Sequence, residues 1–164
     1  MPHGFTTTIL VSSGFSDDLT VATILQAELK PLGITLKIQQ QDSNTAFLNQ
    51  QNLKYDMTQT YWTMDIPDPD ELATFAVDPG SGAKSFFTTY NNPTVAKATH
   101  DAEKTLTTSG RQALYNHVQS QSAADAFMAF LYYSPYAYAT TSNVHGFFVT
   151  PLGNYHLENV WLSK

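Results

Sequence analysis

Two prolines separated by a single residue, Pro67 and Pro69, constrain the fold of this chain more than any other feature. Residues 55–62, which precede them, are aromatic, β-branched or polar, and this composition predicts a strand. Since proline cannot donate a hydrogen bond to a neighbouring strand, the strand must end before Pro67. Residues 70–77 then predict a short helix with acidic residues in its first turn, where the helix dipole favours them.

The turn carries an aromatic residue and an acid, Trp62 and Asp65. Ligands of open α/β sheets bind at the carboxyl ends of strands, so this turn is a candidate ligand site. A simpler interpretation is an exposed turn in which the Asp65 side chain accepts hydrogen bonds from backbone amides. The residues of the turn are compatible with both interpretations.

The N-terminal part of the chain predicts a βαβ unit. Residues 5–11 are rich in β-branched side chains and indicate a strand. Ser16 or Asp17 can cap the next helix, and the alternation of apolar and polar residues after Gly33 indicates a second strand with one buried face. Strands joined by such a crossover run parallel. We therefore predict an α/β fold, with a mixed sheet of about five strands flanked by helices.

Later segments predict further helices and one apolar strand. Asp42 or Ser43 can cap a second helix, residues 94–104 predict another, and Ser109 can cap the one that follows. Residues 127–133 are largely aromatic and apolar, and they predict a strand. The first helix should bury one apolar stripe, formed by Val21, Leu25, Leu29 and Leu32.

The composition excludes several classes of protein. The chain has 14 acidic and 8 basic residues and a net charge of −6, whereas a nucleic-acid-binding face is basic. It has no cysteine, hence no disulfide framework. No apolar run approaches the roughly 20 residues of a membrane span. The first residues have neither the basic start nor the apolar stretch of a signal peptide, so no export signal is predicted in this sequence.

Patterns typical of catalytic and metal sites are absent from the sequence. The acids Asp68, Asp70 and Glu71 do not follow the alternation of a calcium loop, and the histidines show no metal-binding spacing. Residues 82–85 lack the glycine that a phosphate-binding loop needs before its lysine, and they predict a flexible turn. We predict no metal, no cofactor and no catalytic residue. The enzymatic alternative is carbohydrate cleavage by Asp65 and Asp68, which would need the two carboxylates about 5–10 Å apart across a cleft.

Short phrases along the chain carry a family resemblance. They are Leu25-x-x-Glu28-Leu29-x-x-Leu32-Gly33-Ile34, Tyr55-Asp56-Met57, Trp62-x-x-Asp65 followed by Pro67-Asp68-Pro69-Asp70, Tyr90-x-Asn92-Pro93-x-Val95, and Arg111-x-x-Leu114-Tyr115. In this order they resemble the C-terminal half of extracellular solute-binding proteins of family 5. These proteins are the dipeptide- and oligopeptide-binding components of ABC importers.

The resemblance implies a lobe of the periplasmic-binding-protein-like type II fold. Residues 1–164 would form a single domain, the C-terminal ligand-binding lobe of a two-lobed protein. Residues 139–164 would be a closing segment that returns toward the missing first lobe. The parent protein would be exported to the periplasm or cell exterior, with a lipid anchor as one option. It would not be an enzyme, and it would deliver its solute to an ABC permease in the membrane.

The same resemblance implies site residues. Asp65 would pair with the α-ammonium group of a peptide, through a charge-assisted hydrogen bond. Trp62 offers a broad apolar face to a peptide or a sugar, although it could pack into the core instead. Met64 lies between them and is included in the ligand-binding set, and Tyr133 and Tyr136 would lie near the hinge by analogy.

Other ligands and partners stay open at this point. Relatives with the implied fold also bind oligosaccharides and other solutes, so the fold does not fix the ligand. An exposed aromatic surface on an isolated lobe could also make the chain dimerise.

Overall fold

The computed structural model describes residues 4–81, 87–135 and 137–164. The chain forms two compact units, Met1–Tyr61 and Trp62–Lys164. Each unit has a hydrophobic core of its own.

The first unit contains the predicted βαβ arrangement and one further strand. Its sheet has the order β2-β1-β3, and β1 pairs in parallel with both neighbours, with Ile9 opposite Ile38 on one side and Met57 on the other. Gly33 takes a left-handed conformation (φ 80°) after a short 3-10 turn and redirects the chain into β2. The elements are β1 Phe5–Ser12, α1 Ser16–Leu29, β2 Ile34–Gln41, α2 Ser43–Gln51 and β3 Met57–Thr58.

Burial in the first unit follows the predicted pattern with one exception. Leu25 and Leu29 of α1 pack against a core formed by the sheet and Ala22. Leu32, which the sequence assigned to the same stripe, is 72% exposed because α1 ends at Leu29 and the 3-10 turn breaks the helical spacing. The buried core residues are Ile9, Val11, Ala22 and Leu36.

The second unit is built on helices that meet around a core of small side chains. Asn92 caps α4 by accepting hydrogen bonds from the amides of Thr94 and Val95. The described helices are α3 Pro69–Val77, α4 Pro93–Lys104 and α5 Thr108–Asp125. Their buried residues are Ala73, Ala76, Val77, Val95, Ala98 and Val118.

The C-terminal part of the second unit contains short antiparallel strand pairs. Strand β4, Val144–His145, pairs with β7, Trp161–Leu162. Strand β5, Phe148–Val149, pairs with β6, Tyr155–His156. Helices and strands along the chain confirm the predicted α/β class. The described sheet of the first unit has three parallel strands, whereas a mixed sheet of about five strands was predicted.

Two strand predictions were wrong in extent. The strand expected over residues 55–62 is reduced to Met57–Thr58, and residues 127–135 form neither helix nor strand. The side chains of Phe130 and Tyr133 in that segment are 72% and 101% exposed. A strand needs a neighbour to accept and donate its backbone hydrogen bonds, and local composition does not supply that neighbour.

Predictions about three helix starts have different outcomes. Neither Ser16 nor Asp17 caps α1, because the helix begins at Ser16 and Phe15 occupies the N-cap position. Asp42 caps α2 as predicted, by accepting a hydrogen bond from the amide of Thr45 at 3.1 Å. Ser109 does not cap α5, because the helix already begins at Thr108 and Thr107 occupies the N-cap position. Within the described ranges, no helix is long and apolar enough to cross a membrane.

Truncation of Val95 should destabilise the second unit. Val95 is 0% exposed, so Val95→Ala removes buried methyl groups and leaves a cavity, at a cost of about 1.5–3 kcal/mol. Leu106→Ala is the matched control, since Leu106 is 98% exposed and its truncation should change the free energy of unfolding by less than about 0.5 kcal/mol. Chemical denaturation of both variants measures the difference, and equal effects would contradict the core assignment.

Candidate functional site

The turn between Trp62 and α3 is organised by the carboxylate of Glu71. Its Oε1 accepts a hydrogen bond from Trp62 Nε1 at 2.9 Å. The Asp65 amide donates to both carboxylate oxygens, at 3.0 and 2.9 Å, and the Ile66 amide donates to Oε2 at 2.9 Å. Three N–H groups from separate positions of the turn therefore converge on one side chain.

The surroundings keep Glu71 ionised. The residue is only 9% exposed and lies in the first turn of α3, where the helix dipole favours a negative charge. Hydrogen bonds from the amides of Ile66 and Asp65, and then from the indole of Trp62, lower the pKa of the Glu71 carboxyl below its ordinary value. At neutral pH the turn thus surrounds a fixed carboxylate.

Asp65 presents its side chain to solvent. The residue is exposed, and its carboxylate has no hydrogen-bond partner within the described part of the chain. The turn is closed by Glu71 instead of by the Asp65 side chain, so the simpler interpretation of Asp65 as a backbone cap is wrong. Its carboxylate is available to an external cation.

One side of the Trp62 indole packs against the helical core of the second unit. The indole is partly buried against the core of the second unit, and its ring centroid lies 4.6 Å from that of Phe75, with 33° between the planes. Part of the Trp62 side chain therefore packs into the core, as one of the two sequence-based interpretations expected. Met64, two residues further along, is half-buried.

Asp68 is engaged by Arg111 of α5. The guanidinium donates from Nη2 to Oδ1 at 2.8 Å and from Nη1 to Oδ2 at 3.1 Å, while Oδ1 also accepts from the Asp70 amide at 2.9 Å. These contacts, with the Arg111 bonds first, lower the pKa of Asp68. An ionised carboxylate with both oxygens occupied is a helix cap and an ion-pair partner, which argues against the acid/base pair of Asp65 and Asp68.

Tyr115 extends this ion pair into a network that joins α3 to α5. Arg111 Nη2 donates to the Tyr115 hydroxyl at 3.2 Å, and that hydroxyl donates to Asp70 Oδ1 at 3.0 Å. Arg111 Nε also donates to the carbonyl of Ala102 at the end of α4, at 3.3 Å. The network fixes the start of α3 and thereby the position of Glu71.

Tyr133, one of the two tyrosines predicted near the hinge, is not brought to this turn. Tyr133 is fully exposed and makes no hydrogen bond or ring contact with any described residue. Tyr136 and the predicted flexible turn at residues 82–85 lie outside the described residues. In the ranges that the structure describes, no group of three or more histidine, aspartate or glutamate side chains could hold a metal ion.

Sequence reasoning missed Glu71, Arg111 and Tyr115 as site residues. One signal could have found Glu71, since Asp68 and Glu71 have the spacing of a capping box. In that motif the glutamate returns to the amide of the N-cap residue. Here it extends further back, to the amides of residues 65 and 66.

A family model described as "Bacterial extracellular solute-binding proteins, family 5 Middle" matches residues 2–84 of the chain. The chain belongs to this family. The family resemblance of the sequence phrases is thereby confirmed. No curated protein sequence matches the chain.

Solved structures of binding proteins share the fold. HbpA2 from Haemophilus parasuis matches 99% of this chain at 18% identity, with a TM-score of 0.77. A dipeptide-binding protein from a Pseudoalteromonas species, in complex with Met-Leu, matches 99% at 21% identity and a TM-score of 0.76. The periplasmic binding protein DppA from Helicobacter pylori, in complex with the peptide STSA, matches 77% at 24% identity and a TM-score of 0.70.

These similarities confirm the predicted type II fold of periplasmic binding proteins. The chain spans 33% of the length of HbpA2 and of the Pseudoalteromonas protein, and 25% of DppA. It therefore corresponds to between a quarter and a third of these structures.

Replacement of Arg111 by lysine should raise the pKa of Asp68 toward the ordinary aspartate value, because an ammonium group cannot donate paired hydrogen bonds to both oxygens. In wild type the pKa of Asp68 is lower in the folded state than in the unfolded state, so the pair of Asp68 and Arg111 stabilises the protein at neutral pH. This stabilisation is lost as the pH falls through the folded-state pKa. Carboxyl-detected NMR titration of Arg111→Lys measures the change. Asp101, whose pKa is lowered by Lys97, is the internal control and should not respond. An unchanged Asp68 pKa would show that Arg111 does not control this carboxylate.

Proposed function

We propose that this chain is the C-terminal ligand-binding lobe of a two-lobed solute-binding protein that serves an ABC importer. Membership of family 5 and the match to between a quarter and a third of the related structures support this proposal. In it, residues 1–164 act as one lobe, and residues 139–164 lead back toward the other lobe. The complete protein acts outside the cytoplasmic membrane and transfers its solute to the permease after the lobes close over it.

The ligand is a peptide-like solute with a free α-ammonium group. The observation that carries this assignment is the exposed carboxylate of Asp65, which pairs with no described residue and lies on a turn whose backbone is fixed by Glu71. A carboxylate and an ammonium form a charge-assisted hydrogen bond, which is stronger than a neutral one, and closure of a second lobe would remove water from around it. The exposed part of Trp62 and the neighbouring Met64 supply apolar surface to the ligand, and Tyr133 and Tyr136 are assigned to the hinge side.

Two neighbours support a peptide-like ligand. One was solved with Met-Leu and another with the peptide STSA. An oligosaccharide is the alternative solute within the same architecture, and it would make the apolar surface of Trp62 the main contact. No reaction is assigned to the chain, because the Asp68 carboxylate pairs with Arg111 and caps α3 by accepting a hydrogen bond from the Asp70 amide.

NMR titration of the 164-residue chain tests ammonium recognition directly. The probe is the dipeptide Met-Leu, and N-acetyl-Met-Leu is the matched ligand that lacks the ammonium group. We expect Met-Leu to shift the amide resonances of residues 64–66, and Asp65→Asn or acetylation of the probe to weaken binding about 10- to 100-fold, as for the loss of one charged hydrogen bond.

Asp17→Asn is the control variant for this titration, since Asp17 is an exposed aspartate of the first unit. It should leave the affinity unchanged. Equal binding of both probes to wild type and to Asp65→Asn would refute the ammonium assignment.

Native mass spectrometry of the gently purified, complete protein separates the two classes of solute. A retained mass that fragments as a peptide, and that is lost in Asp65→Asn, is the expected result. A retained oligosaccharide would overturn the peptide assignment and leave the lobe assignment intact.

A further inference from the structure

The hydrogen-bond donors around Glu71 have the arrangement of an anion site. Trp62 Nε1 and the amides of Asp65 and Ile66 all point at one carboxylate, at 2.9–3.0 Å. Convergent backbone and side-chain N–H groups of this kind are used by proteins to bind carboxylates, phosphates and oxyanions. In this chain the anion is part of the protein, and it is buried at the start of α3.

We propose that Glu71 is a positioning and specificity-determining residue of the ligand site, acting as an internal carboxylate that fills this anion hole. The inference rests on the proposed function, because it concerns the same turn. Glu71 does not touch the ligand. It acts through the backbone of Asp65 and through the indole of Trp62.

The positioning role follows from the backbone contacts. The Asp65 amide is bonded to both oxygens of Glu71, so the main chain at Asp65 is anchored while its side chain stays exposed. A ligand ammonium then meets a carboxylate whose backbone is already ordered, and less conformational entropy is lost on binding.

The specificity role follows from the use of the donors. A ligand carboxylate would need N–H groups from this turn, and Glu71 already accepts a hydrogen bond from each of the three that converge there. Glu71 also adds a second negative charge to the turn that carries Asp65, since it accepts hydrogen bonds from the Asp65 amide. Together these features favour the cationic end of a zwitterionic peptide and disfavour its anionic end.

Chemical rescue distinguishes this role from simple stabilisation. In Glu71→Ala the three N–H groups lose their acceptor, so the Trp62 indole and the amides of Asp65 and Ile66 should shift in the NMR spectrum. Added formate should enter the vacated position and return these resonances toward the wild-type values in a saturable manner. Wild type, in which the position is filled, should not respond to formate. Trp161 supplies the other indole N–H of the chain and serves as the internal reference.

The ligand preference should change in the same variant. We expect the affinity of Glu71→Ala for Met-Leu to fall about tenfold, because the backbone of Asp65 is then no longer anchored and must be ordered on binding. N-acetyl-Met-Leu, which is anionic, should shift the Trp62 indole and the Ile66 amide more strongly in Glu71→Ala than in wild type. Glu103→Gln is the control for removal of a negative charge, since Glu103 is exposed on α4 and should change neither readout.

The outcomes separate this inference from the proposed function. Unshifted N–H resonances in a folded Glu71→Ala, or shifted resonances that formate does not restore, would overturn the role of Glu71. If wild type and Asp65→Asn bind Met-Leu and N-acetyl-Met-Leu equally, the assignment of Asp65 fails, while the formate experiment still decides whether Glu71 fills an anion hole.

A second variant covers the case in which Glu71→Ala does not fold. Glu71→Gln keeps the size of the side chain but turns an NH2 group toward N–H donors, so at least one of the three resonances must shift. Three unchanged resonances in Glu71→Gln would overturn the inference.

Discussion

The burial of one charged carboxylate governs the geometry of the candidate site. An ionised side chain that is 9% exposed is costly unless its oxygens are hydrogen-bonded, and Glu71 meets this condition only when the indole of Trp62 and the amides of Asp65 and Ile66 all point inward. The turn therefore cannot relax independently of α3. The position of α3 depends in turn on the bidentate pair of Asp68 and Arg111 and on the core around Val95.

Local sequence patterns predicted those parts of the fold that local forces determine. The alternation after Gly33 predicted β2, and the side chain of Asp42 predicted the start of α2, because burial of one strand face and satisfaction of free helix amides are visible within a few residues. The strands expected over residues 55–62 and 127–133 are short or absent, since a strand also depends on a neighbour that its own composition does not specify. Ser109 shows the same limit at smaller scale, because a helix can begin one residue earlier on other contacts.

The candidate site could be located from the sequence but not constructed from it. Trp62 and Asp65 stand out by their place before two prolines, and the structure places them in one turn. Arg111 could not be found in this way, because its partner Asp68 is 43 residues away along the chain and only tertiary packing brings them together. Glu71 could have been identified more easily, since its spacing from Asp68 is that of a capping box. That spacing does not indicate that Glu71 would accept hydrogen bonds from the amides of residues 65 and 66.

Asp65 and Glu71 show how one short segment gives two identical functional groups opposite roles. Glu71 is buried and saturated with N–H donors, so its charge is used to hold the backbone. Asp65 is exposed and unpaired among the described residues, so its charge is available to a ligand. Since a type II fold binds many classes of solute, specificity must come from such local assignments of donors and charges. In the proposed function, a turn whose convergent N–H groups are already occupied, and whose exposed group is a carboxylate, favours a cation over an anion.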